Sequence, residues 1–251
     1  MNYRSSEVVA MDAARHANFA SELANFIGEK AVEWYFSSTL IAGLMNCALN
    51  GGPMKLLLIE ITNEWIDRQK VIFLAEKENG LHNDLVYVST NDIITAWHNR
   101  VCGSDLSLMT INCRNRVSTF TDNMAGNYQT SMIYNEPEDG CTPAAIRRSL
   151  CTFRNGSNSM PNEMKTLQWN CSLVTNWSSF YKQIDISDPA VGCICEYWIH
   201  FPVVEAKDLL GFRENATIFQ YNQDRIGMLL ATRSITADML DDGILLVDSL
   251  L

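Results

Sequence analysis

The chain has 251 residues, 47% of them hydrophobic and 19% charged, which is the composition of a folded protein rather than a disordered one. Its formal net charge of −10 argues against broad binding to nucleic acids or acidic membranes, because both require a basic surface. The eight cysteines include no CxxC pair, so we expect reduced, mostly buried thiols in a cytoplasmic protein. The sequence also predicts neither a signal peptide nor a membrane-spanning segment.

The first part of the chain is predicted to alternate between strands and helices. We predict a short strand at residues 1–12, a helix at Asp12–Ile27, a mixed apolar segment at residues 29–50, a strand at Met54–Glu60, a helix capped by Thr62 that runs to about Lys77, and a short strand after Asn79 and Gly80. The apolar spacing within Asp12–Ile27 is that of a helix with one buried stripe.

The clearest local prediction is a helix that is followed by a strand. Ser89 precedes Asp92 by three residues, which is the pattern of a capping box at a helix start. Ile93 and Trp97 lie four residues apart on one face of that helix, so this face is predicted to be buried. Leu106–Cys113 is apolar with loose alternation, which predicts a buried strand.

Strands also dominate the predictions for the second half of the chain. We predict a strand at Gln129–Tyr134, a helix beginning at Pro143, a polar loop at residues 154–163, strands at Thr175–Ile184 and Cys193–Val204, a hairpin formed by residues 217–221 and 227–234, and a last helix capped by Thr236. Interspersed strands and capped helices indicate an α/β (α+β) fold with a mixed or largely antiparallel sheet and flanking helices.

Several motifs resemble those of the BAHD-type acyl-CoA-dependent acyltransferases, which have the chloramphenicol-acetyltransferase-like fold. The similarity begins with Ser89, Thr90 and Asp92, and it continues with the apolar strand and the pair Arg114 and Arg116. Further matches, in the family's order, are Ile66 and Lys70, Gly126 and Asn127, residues 173–185, and residues 228–240. After Asp185 the family's D-F-G-W-G motif is replaced by Ile-Ser-Asp-Pro.

The resemblance covers roughly residues 7–245 and implies mainly the second lobe of a two-lobed fold. Residues 1–251 are accordingly expected to form a single acyltransferase-like domain, equivalent to the C-terminal lobe and lacking most of the first lobe. The chain is thus expected to be a fragment of the family's complete form, through a truncated gene model or as one half of a longer enzyme.

The family's catalytic signature, H-x-x-x-D-G, is degenerate in this chain. Asp12 and the following Phe19 match it, but the histidine position is occupied by Val8 and the glycine position by Ala13. The resemblance implies that Asp12 is structural and pairs with Arg114; the alternative is that both residues lie at the surface. In the family the histidine acts as general base, and valine cannot remove a proton.

No other histidine is an obvious replacement for the missing base. His16 lies one turn after Asp12, but a structural or solvent-edge position is expected for it, and the same holds for His82, His98 and His200. Cys193 and Cys195 could converge on one face of a strand with His200, yet a fourth ligand is lacking, so buried thiols are expected and no metal site is predicted.

The resemblance also implies a place for the co-substrate. Lys70, Ser89, Thr90 and Asn127 match positions that flank the family's coenzyme A channel. A lysine supplies a point charge to phosphate, and a helix start supplies free N–H groups. For Lys70 alone, a solvated helix face is the simpler interpretation. Acyl-CoA is expected as a co-substrate, with no tightly bound cofactor.

Two functions from different classes therefore remain open. The first is an acyltransferase that, in its complete form, moves an acyl group from acyl-CoA to a hydroxyl or amine of a small molecule. The second is a catalytically inactive, acyltransferase-like binding or interaction module. Either could associate with a second copy of itself or with a separate first lobe.

Overall fold

The computed structural model describes residues 21–117, 129–154, 156–178, 190, 211–222 and 225–249. Its helices are α1 (ending at residue 27), α2 (Glu29–Tyr35), α3 (Ser38–Asn50), α4 (Asn63–Glu78), α5 (Thr90–Cys102), α6 (Pro137–Gly140), α7 (Pro143–Thr152) and α8 (Glu163–Gln168). Its strands are β1 (Lys55–Ile61), β2 (Leu106–Asn112), β3 (Gln129–Tyr134), β4 (Cys171–Asn176), β5 (Glu214–Asn222), β6 (Arg225–Thr232) and β7 (Ile244–Ser249).

The seven strands form one mixed sheet in the order β3-β2-β4-β5-β6-β1-β7. The β2–β4 and β4–β5 pairs are parallel, whereas every other pair is antiparallel. β1 is antiparallel to β6, with Ile59 opposite Met228, and β6 is antiparallel to β5. Consequently β1, β2, β4 and β5 run in the same direction, and their carboxyl ends lie along one edge of the sheet. The predicted α/β fold with a mixed sheet and flanking helices is confirmed.

Two apolar clusters hold the helices against the sheet. One contains Trp34 and Trp169, whose rings stack with centroids 6.0 Å apart, and the other contains Trp65 and Trp97. Cys171 belongs to the first cluster and Val174 to the second, and residues of opposite parity on a strand point to opposite faces. The clusters therefore lie on the two faces of the sheet at β4.

Helix α5 is the most deeply buried helix of the described chain, with nine of its residues buried. It begins with the predicted capping box: Asp92 donates its backbone N–H to Ser89 Oγ at 3.3 Å, and Ser89 donates its backbone N–H to Asp92 Oδ2 at 2.6 Å. The buried face of Ile93 and Trp97 is also confirmed. The cap of α4 is confirmed as well, since Thr62 Oγ1 accepts from Trp65 N at 3.2 Å.

Other local predictions are confirmed or need correction. The hairpin is confirmed as β5 and β6, and Gln129–Tyr134 is confirmed as a strand. No strand follows Gly80, because His82 has a φ of 57° and residues 81–88 pair with no neighbouring strand. The predicted strand at Thr175–Ile184 overlaps β4 only at residues 175 and 176; residues 177 and 178 are not in a strand, and residues 179–184 lie outside the described residues. Residues 1–12, Val8, Asp12, His16, Asn127 and Cys193–Val204 lie outside the described residues.

The C-terminal prediction is wrong. Thr236 does not cap an α-helix; it precedes a short 3-10 turn at Ala237–Met239, and its side chain makes no capping hydrogen bond. The chain then forms β7, which adds to the free edge of β1. Pairing with β1 satisfies the backbone hydrogen-bonding groups of this apolar run, and β1 is distant from it in sequence.

Candidate functional site

A cleft of about 270 Å³ opens at the edge of the sheet where β2 and β4 end. In open sheets, ligands bind outside the carboxyl ends of parallel strands, so this cleft is the candidate site on geometry alone. It is bordered by α5, β2, β3, β4 and the turn after β2. Its lining residues are Asn91, Met109, Thr110, Ile111, Asn112, Arg116, Gln129, Leu150, Thr175 and Asn176.

Two asparagines join the start of α5 to the end of β4 in the cleft wall. Asn176 Nδ2 donates to Asn91 Oδ1 at 2.8 Å, and Asn176 Oδ1 accepts from the Ser178 backbone N–H at 2.8 Å and hydroxyl at 2.7 Å. Asn91 Nδ2 in turn lies 3.6 Å from Met109 Sδ. The wall is therefore built from neutral amides whose orientation is fixed by one another.

The predicted residues Ser89 and Thr90 stand at the entrance of α5, next to this wall. Both are half-buried. The hydroxyl and backbone N–H of Ser89 are used by the capping box. The N–H groups of Thr90 and Asn91 belong to the first turn, which has no intrahelical partners for them. They are the groups of this helix start that can bind an anion.

Two arginines follow β2 at the same edge. The Arg114 backbone N–H donates to Asn112 Oδ1 at 3.0 Å, which forms the turn after the strand. Arg116 Nη1 donates to the Asn112 carbonyl at 3.2 Å, and its guanidinium lies 5.4 Å from the centre of the Phe153 ring. Arg116 thereby places a positive charge in the cleft. The predicted pairing of Arg114 with Asp12 stays a prediction, because Asp12 is outside the described residues.

Lys70, predicted to bind the cofactor, contacts an acidic side chain of its own helix in the structure. Its side chain is 43% exposed on α4 and forms an ion pair with Asp67 at 3.1 Å. Within the described part of the chain, Lys70 forms no hydrogen bond or ion pair with Ser89 or Thr90. This contact is that of a solvated helix face, and the role of Lys70 toward coenzyme A stays a prediction. The same holds for Asn127, which is not described.

A buried ion pair joins the start of α5 to α7. Arg147 of α7 donates from Nε and Nη2 to Asp92 Oδ2, at 2.7 and 2.5 Å. Asp92 is fully buried, and this burial raises the pKa of its carboxyl group although Arg147 and the Ser89 N–H oppose the rise. Asp92 Oδ1 has no hydrogen-bond partner among the described residues. Sequence reasoning found Asp92 as a capping residue but missed Arg147 as its partner.

His98 lies in the buried middle of α5 and does not line the cleft. It is fully buried, neither ring nitrogen has a partner in the described part of the chain, and burial lowers its pKa to about 4. A neutral imidazole enclosed in the core has no path to a substrate proton. Within the described ranges, therefore, the cleft contains no histidine that could act as a general base.

No three or more histidine, cysteine or acidic side chains are grouped so as to hold a metal ion in residues 21–249 outside the gaps. In the same residues, no helix combines the length and apolarity needed to span a bilayer. The six described cysteines are all free thiols.

No protein-family model and no curated protein sequence matches the chain. Solved structures of TRI101 do match it. For F. graminearum TRI101 complexed with coenzyme A and deoxynivalenol, the identity is 14% and the TM-score 0.47, over 72% of this chain and 45% of that chain.

Two further structures give the same result. For F. graminearum TRI101 complexed with ethyl coenzyme A, the identity is 16% and the TM-score 0.43, over 72% of this chain and 46% of that chain. For F. sporotrichioides TRI101 complexed with coenzyme A and T-2, the identity is 12% and the TM-score 0.42, over 72% of this chain and 47% of that chain. This chain spans less than half the length of these proteins.

Proposed function

We propose that this chain belongs to an acyltransferase whose complete form moves an acyl group from acyl-CoA to a hydroxyl or amine of a small molecule. One observation carries the proposal: two of the segments that resemble the BAHD family border the same cleft. The helix start at Ser89 and Thr90 contributes Asn91, and the Arg114–Arg116 turn contributes Arg116. The cleft lies at the carboxyl edge of the sheet, where α/β folds bind their ligands.

Coenzyme A fits the charges at this cleft. Its phosphates are anionic, and the chain as a whole carries a net charge of −10, so binding requires a local positive field. Arg116 supplies a charge, the Thr90 and Asn91 N–H groups supply donors, and the carboxylate of Asp92 is compensated by Arg147.

The chemistry needs a base that the described cleft residues do not provide. A base removes the proton of the acceptor hydroxyl or amine, the freed lone pair attacks the thioester carbonyl, the C–S bond breaks, and the thiolate leaves to take up a proton. With Val8 at the family's histidine position, we propose that this chain binds coenzyme A and that a second lobe supplies the base. The family's acceptor and donor meet between two lobes, so positioning also depends on that lobe.

The second candidate is a catalytically inactive, acyltransferase-like binding or interaction module, and the observation that favours it is Val8 at the histidine position. For either candidate we propose a reducing compartment such as the cytoplasm, because the six described cysteines are free thiols. The two candidates differ in whether a base is supplied from outside this chain. The partners proposed are acyl-CoA and a small-molecule acceptor.

Calorimetric titration of the purified chain with coenzyme A tests the binding step. We expect saturable binding that Arg116→Gln weakens about tenfold, the worth of a charge-assisted contact to phosphate. Arg68→Gln is the matched control, because Arg68 contacts Asp242 and does not line the cleft. Circular dichroism verifies that both variants fold. Absence of coenzyme A binding by the wild-type chain would refute the proposal.

Turnover measured with and without a supplied first lobe separates the two candidates, because only the acyltransferase should gain activity from that lobe. Acyl-CoA is incubated with a panel of alcohols and amines, and released thiol is measured after subtracting the chain's own cysteines. The chain alone should release little thiol, because loss of a general base costs about 10²–10⁴-fold in rate. Val8→His should restore little unless a first lobe is also supplied. Robust acceptor-dependent release by a monomer would contradict this assignment, and His16 would then be the first residue to substitute.

A further inference from the structure

Two adjacent arginines on α7 hold both ends of the segment that leads into α5. Arg148 binds Asp84 near the beginning of residues 82–92, and Arg147 binds Asp92 at the end. This segment contains Ser89 and Thr90, the helix start assigned above to coenzyme A. Resting on that proposed function, we infer that Arg147 and Arg148 are positioning residues that fix the α5 start for anion binding.

The Arg148 contacts fix the exposed end of the segment. Arg148 Nε and Nη2 donate to the two carboxylate oxygens of Asp84 at 2.7 and 2.8 Å. Hydrogen bonding to Arg148 lowers the pKa of Asp84 to about 2, so this pair stays charged throughout the neutral range. Nη2 also lies 3.0 Å from His82 Nδ1, and the other ring nitrogen of His82 lies 3.2 Å from Glu76 of α4.

The Arg147 contacts fix the buried end. Asp92 Oδ2 accepts from Arg147 Nε and Nη2 and from the Ser89 backbone N–H, so one oxygen joins α7 to the capping box. The Arg147 guanidinium also lies 4.6 Å from the centre of the Tyr87 ring, a cation–π distance. The same arginine therefore contacts the segment both before and after Ser89.

Apart from the two arginines, the segment is held by local contacts: Leu85 N–H donates to the His82 carbonyl at 3.0 Å, Lys77 Nζ of α4 donates to the Val86 carbonyl at 3.4 Å, and the His82 ring stacks on Phe73. Residues 81–88 form neither helix nor strand, Val86 is 82% exposed, and Leu85 and Val88 are the only side chains between His82 and Ser89 that are buried. A segment without backbone ladder bonds opens easily unless side chains hold it. The two arginines supply these contacts from one rigid helix, α7.

Arg147 has an electrostatic effect that Arg148 lacks. The positive end of the α5 dipole attracts an anion, and an uncompensated Asp92 carboxylate beside it would repel the same anion. With Arg147 in place the two charges cancel. Loss of Arg147 should therefore weaken coenzyme A binding more than loss of Arg148, although both loosen the segment.

Hydrogen exchange followed by mass spectrometry tests the positioning directly. In Arg148→Gln, exchange in residues 79–88 should rise about two- to fivefold, as expected for an exposed ion pair. In Arg147→Gln, exchange across residues 87–95 should rise by more than about a hundredfold, because a buried charge loses its partner. Arg68→Gln should leave both regions unchanged. Wild-type protection of this segment in both α7 variants would overturn the inference.

Coenzyme A affinity is measured on the same proteins. Arg147→Gln should bind about tenfold more weakly, the effect of an uncompensated carboxylate about 10 Å from a phosphate at an effective dielectric constant near 20. The double variant Asp92→Asn/Arg147→Gln removes both charges and should recover most of the affinity. It also serves as the folded comparison if Arg147→Gln alone unfolds.

The two proposals fail in different ways. If wild-type protein binds no coenzyme A, the proposed function fails, while the exchange data still decide whether the arginines hold the segment. If exchange rises in both variants and coenzyme A affinity stays at the wild-type value, the positioning role is refuted. Failure of the neutral double variant to recover affinity would refute the electrostatic part.

Discussion

The indole rings of Trp65 and Trp97 meet edge to face, with centroids 6.4 Å apart and planes inclined at 82°, and this contact joins α4 to α5 in the core. Edge-to-face pairs add stabilisation beyond the apolar area that they bury. This contact packs α4, which carries Lys70, directly against α5, which begins after Ser89.

Truncation of this contact is the first prediction. Trp97→Ala should lower the free energy of unfolding by about 3–5 kcal/mol, because Trp97 is fully buried and a cavity would remain. Trp97→Phe should cost clearly less, since Trp97 Nε1 has no partner among the described residues and no hydrogen bond is lost. Urea unfolding followed by fluorescence measures both. Equal losses in the two variants would show that ring size is not what matters here.

His98 should make the protein sensitive to acid. Its folded-state pKa is about 4, below the ordinary value of 6.5, so the unfolded chain takes up a proton first as pH falls. Stability should therefore be fully present above pH 6.5, decrease between pH 6.5 and 4, and level off below, with a total loss of about 3 kcal/mol. Urea unfolding at a series of pH values measures this slope.

The control is a variant that cannot take up the proton. His98→Phe keeps a flat ring in the same space, and its stability should vary less between pH 6.5 and 4 than that of the wild type. Other groups titrate in both proteins, so the difference between the two profiles isolates His98. Parallel profiles would contradict a neutral, buried His98.

Glu214 should stabilise the folded state through the hydrogen bonds that one of its carboxylate oxygens accepts. Its fully buried side chain accepts hydrogen bonds at Oε1 from the backbone N–H groups of Arg233 and Ser234, at 3.2 and 3.0 Å, and from the Ser234 hydroxyl at 2.8 Å. Glu214→Leu removes this acceptor, although the Ser234 N–H also donates to Thr232 Oγ1 at 3.2 Å, and it should cost about 1–3 kcal/mol. Glu214→Gln keeps an acceptor and should cost less. Thermal unfolding of the two variants compares them, and a reversed order would refute this role.

Self-association is expected through α3. This helix contains no charged residue, and it exposes Ile41, Met45 and Leu49 at intervals of four residues along one face. Because each copy has a net charge of −10, an uncharged apolar face is where two copies approach with least repulsion. Sedimentation should show concentration-dependent dimers or larger species that Met45→Glu abolishes. Val71→Glu, at an exposed position of α4, is the control. Identical sedimentation of all three proteins would exclude the α3 face.

Sequence patterns were sufficient where a structure depends on neighbours along the chain. The capping box at Ser89 and Asp92, the cap at Thr62 and the β5–β6 hairpin each involve residues close in sequence, so spacing predicted them. α3 was missed because its apolar residues do not form a single buried stripe, and β7 was missed because its partner β1 is distant. The asparagine wall of the cleft and the Asp92–Arg147 pair also join distant segments, which a single sequence does not reveal.

The register of β1 has a consequence for synthesis of the chain. Ile59 pairs with Met228, so β1 emerges from the ribosome long before β6, its partner in the sheet. Until then the apolar run Leu56–Ile59 has both of its hydrogen-bonding edges unsatisfied and its side chains uncovered. Long-range pairing of this kind makes folding slow and exposes the nascent chain to aggregation. We therefore expect β1 to be the segment that a chaperone binds during translation, and to be released only when the C-terminal hairpin has been made.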